Sequence, residues 1–171
     1  LELQPDFADA EIFLFSLQLQ TEHAAEALNI ARKIQKQSPK VPLGYAMEGD
    51  ALMQQKQFKD AVKAYETAFG NGKSGTLAIK LHAAYSQAGD GKTAEAKLAQ
   101  YVKNNPQDMV PRLYLANAYL KSEQYKPAIQ QYEAALKQDA ANVLVLNNLA
   151  WLYQQENSPR AVEYAEQAYK V

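Results

Sequence analysis

Five alanines stand at an almost fixed spacing along this chain: Ala27, Ala61, Ala94, Ala128 and Ala161. The gaps are 34, 33, 34 and 33 residues. A period near 34 belongs to a helix–turn–helix unit that stacks on copies of itself. The chain is therefore expected to build a serial array, an architecture whose usual work is binding rather than catalysis.

The register around each alanine is readable. In the fourth unit, "VPRLYLANAYLKSEQYKPAIQQYEAALKQDA", Leu115, Ala116 and Tyr119 share one helical face. Tyr125 follows in the turn, and Ala128, Tyr132 and Ala135 share a face of a second helix. The other units place Leu14/Phe15, Glu48/Gly49, Leu81/His82 and Leu149/Ala150 where Leu115/Ala116 sit. Tyr85 and Tyr153 match Tyr119, Phe58 matches Tyr125, Tyr65 matches Tyr132, and Ala68 and Ala168 match Ala135. Pro5, Pro39 and Pro106 fall between units, where Lys73 and Ala140 replace the proline in two others.

These in-phase positions resemble the tetratricopeptide repeat family across essentially the whole chain. The first signature position, a tryptophan in the family, holds Glu11, Tyr45, Ala78, Arg112 and Leu146. The resemblance implies an all-α, right-handed superhelical solenoid of about five repeats with ten main helices. They are placed at 8–41, 42–74, 75–108, 109–142 and 143–171, with 1–7 as the tail of a preceding repeat. "LELQP" reads as that tail and "AYKV" stops before the next turn, so a single array cut from a longer one is expected.

Helix ends follow the same phase. Asp6, Asp108 and Asn142 precede first helices, and Asp90 and Ser158 precede second helices, where each can cap free N–H groups. Pro127 and Pro159 suit a first helical turn, because the missing N–H costs little there.

Composition excludes several functions. A net charge of −1 gives no electrostatic reason to bind nucleic acid. The longest apolar stretch, "VLVLNNLAWLY", is too short and too polar to span a bilayer, so no direct membrane insertion is expected. The absence of cysteine excludes disulfides and thiolate metal sites, and fits cytoplasm and periplasm equally.

No catalytic constellation is visible. "GNGKSG" (Gly70–Gly75) has the look of a phosphate loop, but Thr67 stands where its first glycine is needed and a helix precedes it in place of a strand. It reads as a flexible inter-repeat turn. His82 sits at a helix-packing position and reads as a structural, partly buried histidine; His23 reads as solvated. No pair of carboxylates is placed for acid–base work, and no nucleophile has a candidate base. No enzyme activity, cofactor or metal site is expected.

Each first helix packs on its partner with one stripe and leaves a second free, at i, i+3, i+7 and i+10. In the family these stripes line the concave face of the superhelix. Here they are Asp9, Ile12, Ser16, Leu19; Leu43, Ala46, Asp50, Met53; Thr76, Ile79, Ala83, Ser86; Val110, Leu113, Asn117, Leu120; and Leu144, Asn147, Trp151, Gln154. Twelve of these twenty are apolar and only Asp9 and Asp50 are charged, which marks a surface for a protein or peptide partner. The expected partner-binding residues are Ile12, Leu43, Met53, Ile79, Val110, Leu113, Asn117, Leu120, Asn147 and Trp151.

Family members that hold chaperone C-terminal tails clamp a carboxylate with lysine and asparagine. No Lys or Arg occurs on this stripe; Arg112, Lys80 and Lys121 lie beside it. The partner is therefore expected to be an extended or helical segment with apolar anchors, its backbone met by Asn117, Asn147 and Asn148.

The last unit carries a narrower resemblance. Asn148, Leu149, Ala150, Trp151, Pro159, Ala161, Tyr164, Ala165, Glu166 and Ala168 look like the terminal repeats of bacterial exported lipoproteins associated with PEP-CTERM sorting and exopolysaccharide production. That resemblance implies a periplasmic or outer-membrane-anchored assembly scaffold. A regulatory or substrate-recruiting segment of a larger enzyme is the other reading, and the oligomeric state is open.

Overall fold

The computed structural model describes the backbone from Pro5 and the side chains from Asp9, through to Val171. The expected tail in Leu1–Gln4 lies outside the described residues. Among the described residues ten α-helices follow in order: α1 (Pro5–Gln20), α2 (Ala24–Gln37), α3 (Pro42–Gln54), α4 (Phe58–Asn71), α5 (Gly75–Gln87), α6 (Gly91–Asn104), α7 (Met109–Lys121), α8 (Tyr125–Leu136), α9 (Val143–Gln155) and α10 (Arg160–Lys170). No strand occurs among the described residues, so the chain is all-α as its period demands. It divides between Lys97 and Leu98 into two compact units.

In the first unit, α1 packs on α2, α2 on α3, α3 on α4 and α4 on α5. Ala27, Ala61 and Ala94 are fully buried. Two apolar clusters form its core. One joins Phe15, Ala27, Ala31, Ile34, Met47 and Ala51. The other joins Leu52, Ala61, Val62, Tyr65, Leu81 and Ala84. The small residue before Asp50 has a steric cause: a Cβ on Gly49 would lie 2.4 Å from the Tyr65 ring.

In the second unit, α7 packs on α8, α8 on α9 and α9 on α10. Ala128, Leu115, Leu146, Leu149 and Leu152 are fully buried. Burying each such leucine contributes about 1.5–3 kcal/mol relative to leaving it in water. One cluster runs from Ala116 through Ile129 and Tyr132 to Leu149, Leu152 and Tyr164.

The turn inside every helix pair has one backbone solution. Glu22, Lys56, Gly89, Glu123 and Asn157 occupy the left-handed region, at φ of 63°, 58°, 88°, 58° and 52°. The next N–H then reaches back to close the preceding helix, as from Gln57 to the Leu52 carbonyl at 2.9 Å and from Gln124 to the Tyr119 carbonyl at 2.8 Å. This is the left-handed C-terminal motif that satisfies orphan helix carbonyls. Four of the five residues carry a Cβ that disfavours it.

The caps are mixed. Asn142 accepts from Val145 N at 3.1 Å, and Asp90 accepts from Thr93 N at 3.2 Å. Ser158 meets Arg160 N at 3.4 Å. Asp108 is corrected: it stands at the N-cap of α7 without a side-chain cap bond, because its carboxylate accepts from the Tyr101 hydroxyl at 3.0 Å. Asp6 is corrected too, since α1 already begins at Pro5; its side chain lies outside the described residues. Pro127 is third in α8, within its first turn, whereas Pro159 takes the cap position of α10.

The "GNGKSG" segment is not a loose turn. Gly70 and Asn71 complete α4, and Ser74 caps α5 by accepting from Leu77 N at 3.2 Å. Asn71 Nδ2 donates to the Pro39 carbonyl at 3.3 Å. Gly72 is packed so closely that a Cβ would lie 2.6 Å from Pro42 Cγ.

Candidate partner-binding site

The stripes differ in depth along their length. In the first unit Leu43 is exposed, while Ile12, Met53 and Ile79 are half-buried. Met53 leans on the Tyr65 cluster. Ile12 and Leu43 come together on a cavity of about 170 Å³, completed by Glu11, Ile34, Val41 and their neighbours. In the second unit Val110, Asn117, Asn147 and Trp151 are exposed, while Leu113 and Leu120 pack partly against the core. Leu144, on the same stripe as Trp151, is exposed as well.

Trp151 is 44% exposed. It sits edge-on to Tyr125, with ring centroids 5.7 Å apart and planes at 90°. The quadrupoles of two aromatic rings favour that arrangement, so the tryptophan has a fixed wall on one side and water on another.

Two polar groups on the stripes, Asp50 and Asn117, are already tied down. In the first unit Tyr65 donates to Asp50 Oδ1 at 2.6 Å, and Lys80 Nζ reaches both Asp50 oxygens at 2.5 Å. A cation therefore does reach the stripe, from α5, and is spent on Asp50. Burial first, then the Asp50 charge, pushes the Tyr65 phenol far above its usual value. In the second unit Tyr132 donates to Asn117 Oδ1 at 2.5 Å and accepts from Asn148 Nδ2 at 3.1 Å. The two constellations stand in matching places, Asp50 and Asn117 being 67 residues apart, as are Tyr65 and Tyr132. Asn117 and Asn148 are thus bound within the chain before any partner arrives. Asn147 is exposed beside them.

A second pair of matching networks links neighbouring helix pairs. Glu66 accepts from Tyr85 at 2.6 Å and from Lys97 at 3.0 Å; the Tyr85 hydrogen bond leads in holding its carboxyl below the usual range. Glu133 accepts from Tyr153 at 2.7 Å and pairs with Arg160 at 2.7 Å. Burial works to raise the Glu133 carboxyl, but these hydrogen bonds and the arginine charge outweigh it and lower it. Burial, followed by the Glu133 bond, pushes the Tyr153 phenol up to about 12. Arg160 lies 4.4 Å from the Tyr153 ring centroid, and Tyr153 stacks on Tyr164 at 5.5 Å. These tyrosines are joints between helices.

His82 is 8% exposed, in the place that Gly49 and Ala116 fill elsewhere. Burial lowers its imidazole pKa, with the Glu95 charge opposing. His23 is exposed, its Nδ1 2.9 Å from Thr21 Oγ1. Arg112 is buried, bonded to Gln131 and to the Pro106 carbonyl. Among the described residues no three His, Asp or Glu side chains gather to hold a metal ion, and no helix is long and apolar enough to cross a membrane.

Sequence reasoning missed the Asp50–Tyr65–Lys80 and Asn117–Tyr132–Asn148 constellations. The signal was present as a polar residue, a tyrosine 15 positions later, and a hydrogen-bond donor 15 or 16 beyond that.

The family model described as "Tetratricopeptide repeat" matches residues 46–109 and 113–170. Among curated proteins none matches in sequence. Among solved structures the chain is similar to YrrB, described as a TPR protein with an unusual peptide-binding site. That match has 21% identity and a TM-score of 0.64, covering 94% of this chain and 84% of that one. It is similar to MamA at 15% identity and a TM-score of 0.71, covering 95% and 90%. MamA 41-end from Desulfovibrio magneticus RS-1 aligns at 18% identity and a TM-score of 0.69, covering 98% and 96%.

Proposed function

The chain belongs to the tetratricopeptide repeat family, and on that premise we propose that it is a protein-interaction scaffold that docks a partner segment on the free stripes of its first helices. The observation that carries this reading is Trp151: a large aromatic side chain, 44% exposed and braced by Tyr125, on a stripe without charge in its unit. Val110 and Leu144, 67% and 77% exposed, add apolar surface on α7 and α9. In the first unit Leu43, Ile12, Met53 and Ile79 supply the corresponding positions. Exposed apolar residues of this size on a repeat protein fit a segment with apolar anchors. The peptide-binding site ascribed to YrrB supports the same kind of occupant.

Because Asn117 and Asn148 are engaged by Tyr132, their role is to present fixed amides. Asn147 and Gln154 remain exposed for a partner's backbone. The likeness of the last repeat to exported bacterial lipoproteins supports a place in envelope or exopolysaccharide assembly.

The test is an affinity capture with the intact chain against Trp151→Ala and Leu113→Ala. Trp151→Ala is expected to weaken the captured interaction by about 2 kcal/mol or more, with little salt dependence because the stripe around it carries no charge. Unchanged capture by Trp151→Ala, with the fold intact by circular dichroism, would sink the assignment of that face.

A further inference from the structure

A cavity lies at the joint between the first and second repeats, among α1, α2, α3 and the turn that leads into α3. Its volume is about 170 Å³ and its lining is mostly apolar. Ile34, 8% exposed, forms its deep side, while Val41 and Leu43, 46% and 39% exposed, stand toward solvent. Ile12 of α1 completes the aliphatic wall.

The polar members of the lining are Glu11, Gln37 and Ser38. Glu11 is paired with Lys33 Nζ at 2.5 Å, and Lys33 is not part of the lining. The cavity therefore presents no unpaired charge to a ligand. Its size narrows the choice further. An apolar cavity of about 150 Å³ stays dry and takes up benzene. A six-carbon ring fills such a space, whereas a branched aliphatic side chain leaves gaps and forfeits contacts. A charged side chain would lose its water against aliphatic carbon.

We propose that this cavity is the pocket for one phenylalanine side chain of the partner segment. The proposal rests on the scaffold reading, since Ile12 and Leu43 belong to the free stripes. It adds what the segment must carry: an apolar ring, delivered between α1 and α3.

The first arm of the experiment uses toluene as the probe on the 171-residue chain. Toluene is expected to raise the melting temperature of the wild type, because a ligand of the folded state stabilises it. Glu11→Tyr gives the first repeat the side chain that the second carries at the same place as Tyr45; the third, fourth and fifth carry Ala78, Arg112 and Leu146. This variant is expected to fill the cavity, to melt no lower than wild type and to lose the toluene shift. Leu43→Asp, on the solvent side of the wall, is expected to weaken the shift and serves if Glu11→Tyr does not fold. The second arm selects peptides from a random displayed library. The wild type is expected to enrich segments with phenylalanine. Glu11→Tyr is expected to lose that enrichment while still selecting segments that depend on Trp151. No toluene shift in the wild type, or a full shift in the folded variants, would overturn the proposal. Selected peptides without an enriched phenylalanine would overturn it too, and would leave the scaffold reading standing. If the wild type selects no peptides, the scaffold reading falls and the pocket assignment with it.

Discussion

Tyr132 donates its hydroxyl proton to Asn117 Oδ1 at 2.5 Å, from a ring that is 1% exposed. The bond ties the first helix of one repeat to its second. The Tyr132 hydroxyl oxygen accepts in turn from Asn148 Nδ2 at 3.1 Å and so reaches the next repeat as well. Tyr65 makes the matching bond to Asp50 in the first unit.

Tyr132→Phe keeps the packing of the ring and removes both bonds. It is expected to cost about 1 kcal/mol in a urea titration with an unchanged m-value. Tyr65→Phe is expected to cost at least as much, because its acceptor is a carboxylate and charge-assisted bonds are the stronger kind. A Tyr65→Phe midpoint equal to wild type would contradict the structural role given to this hydroxyl.

Gly49→Ala adds a single methyl group, placed 2.4 Å from a ring carbon of Tyr65. The ring is 2% exposed and anchored at Asp50, so it has no room to yield. A loss of roughly 1–3 kcal/mol is expected, the usual range for overpacking. Ala128→Leu, at a fully buried position, is expected to fall in the same range. Thermal melts read both, and a wild-type melt for Ala128→Leu would mean that the repeat register is wrong.

Lys56→Gly and Glu123→Gly act on the turns. Both residues sit near φ 58°, where a Cβ is strained and glycine is not. Each substitution is expected to stabilise by about 0.5–1 kcal/mol. Gly89→Ala is the converse. No atom lies within 4 Å of the added Cβ, so any loss comes from the backbone alone. Chemical denaturation should give opposite signs for the two kinds of change; equal signs would refute the account of the turn.

His82 gives the fold a pH dependence of known sign. Its imidazole is held below 6.5 by burial, so as pH falls through 6.5 the unfolded chain takes up a proton that the folded chain refuses. Stability contributed by the neutral ring is therefore complete above 6.5 and declines as pH falls toward the folded-state value. His82→Ala, which installs the residue found at Ala116 and Ala150, is expected to flatten that slope. Denaturation midpoints at about pH 7.5 and 5.5 check it, and an unaltered slope in the variant would assign the effect elsewhere.

What the sequence revealed followed from periodicity. Ala27, Ala61, Ala94 and Ala128 are buried, and Ala161 half-buried, because a small residue every 33 or 34 positions lets helices approach closely, and that pattern needs no tertiary knowledge. Depth was harder to read. Leu113 and Val110 share a stripe, yet Leu113 leans into the core while Val110 is 67% exposed. Helical phase gives an angle around the axis and not a distance from neighbouring helices. The left-handed turns were hidden because Glu22, Lys56 and Glu123 stand where glycine would have announced them. Asp108 misled because a nearer partner, Tyr101, claimed the carboxylate that a helix terminus attracts.

The two matching constellations differ in kind: Asp50 and Lys80 carry charge, whereas Asn117 and Asn148 do not. Both members of the ion pair are partly exposed, Lys80 at 33% and Asp50 at 26%, within reach of dissolved ions. Added salt weakens such a pair and leaves an amide bond nearly untouched. Ionic strength thus tunes the stiffness of this chain unevenly, softening the tie between α3 and α5 while the tie between α7 and α9 keeps its grip. Amide exchange would record that contrast as protection lost first between α3 and α5.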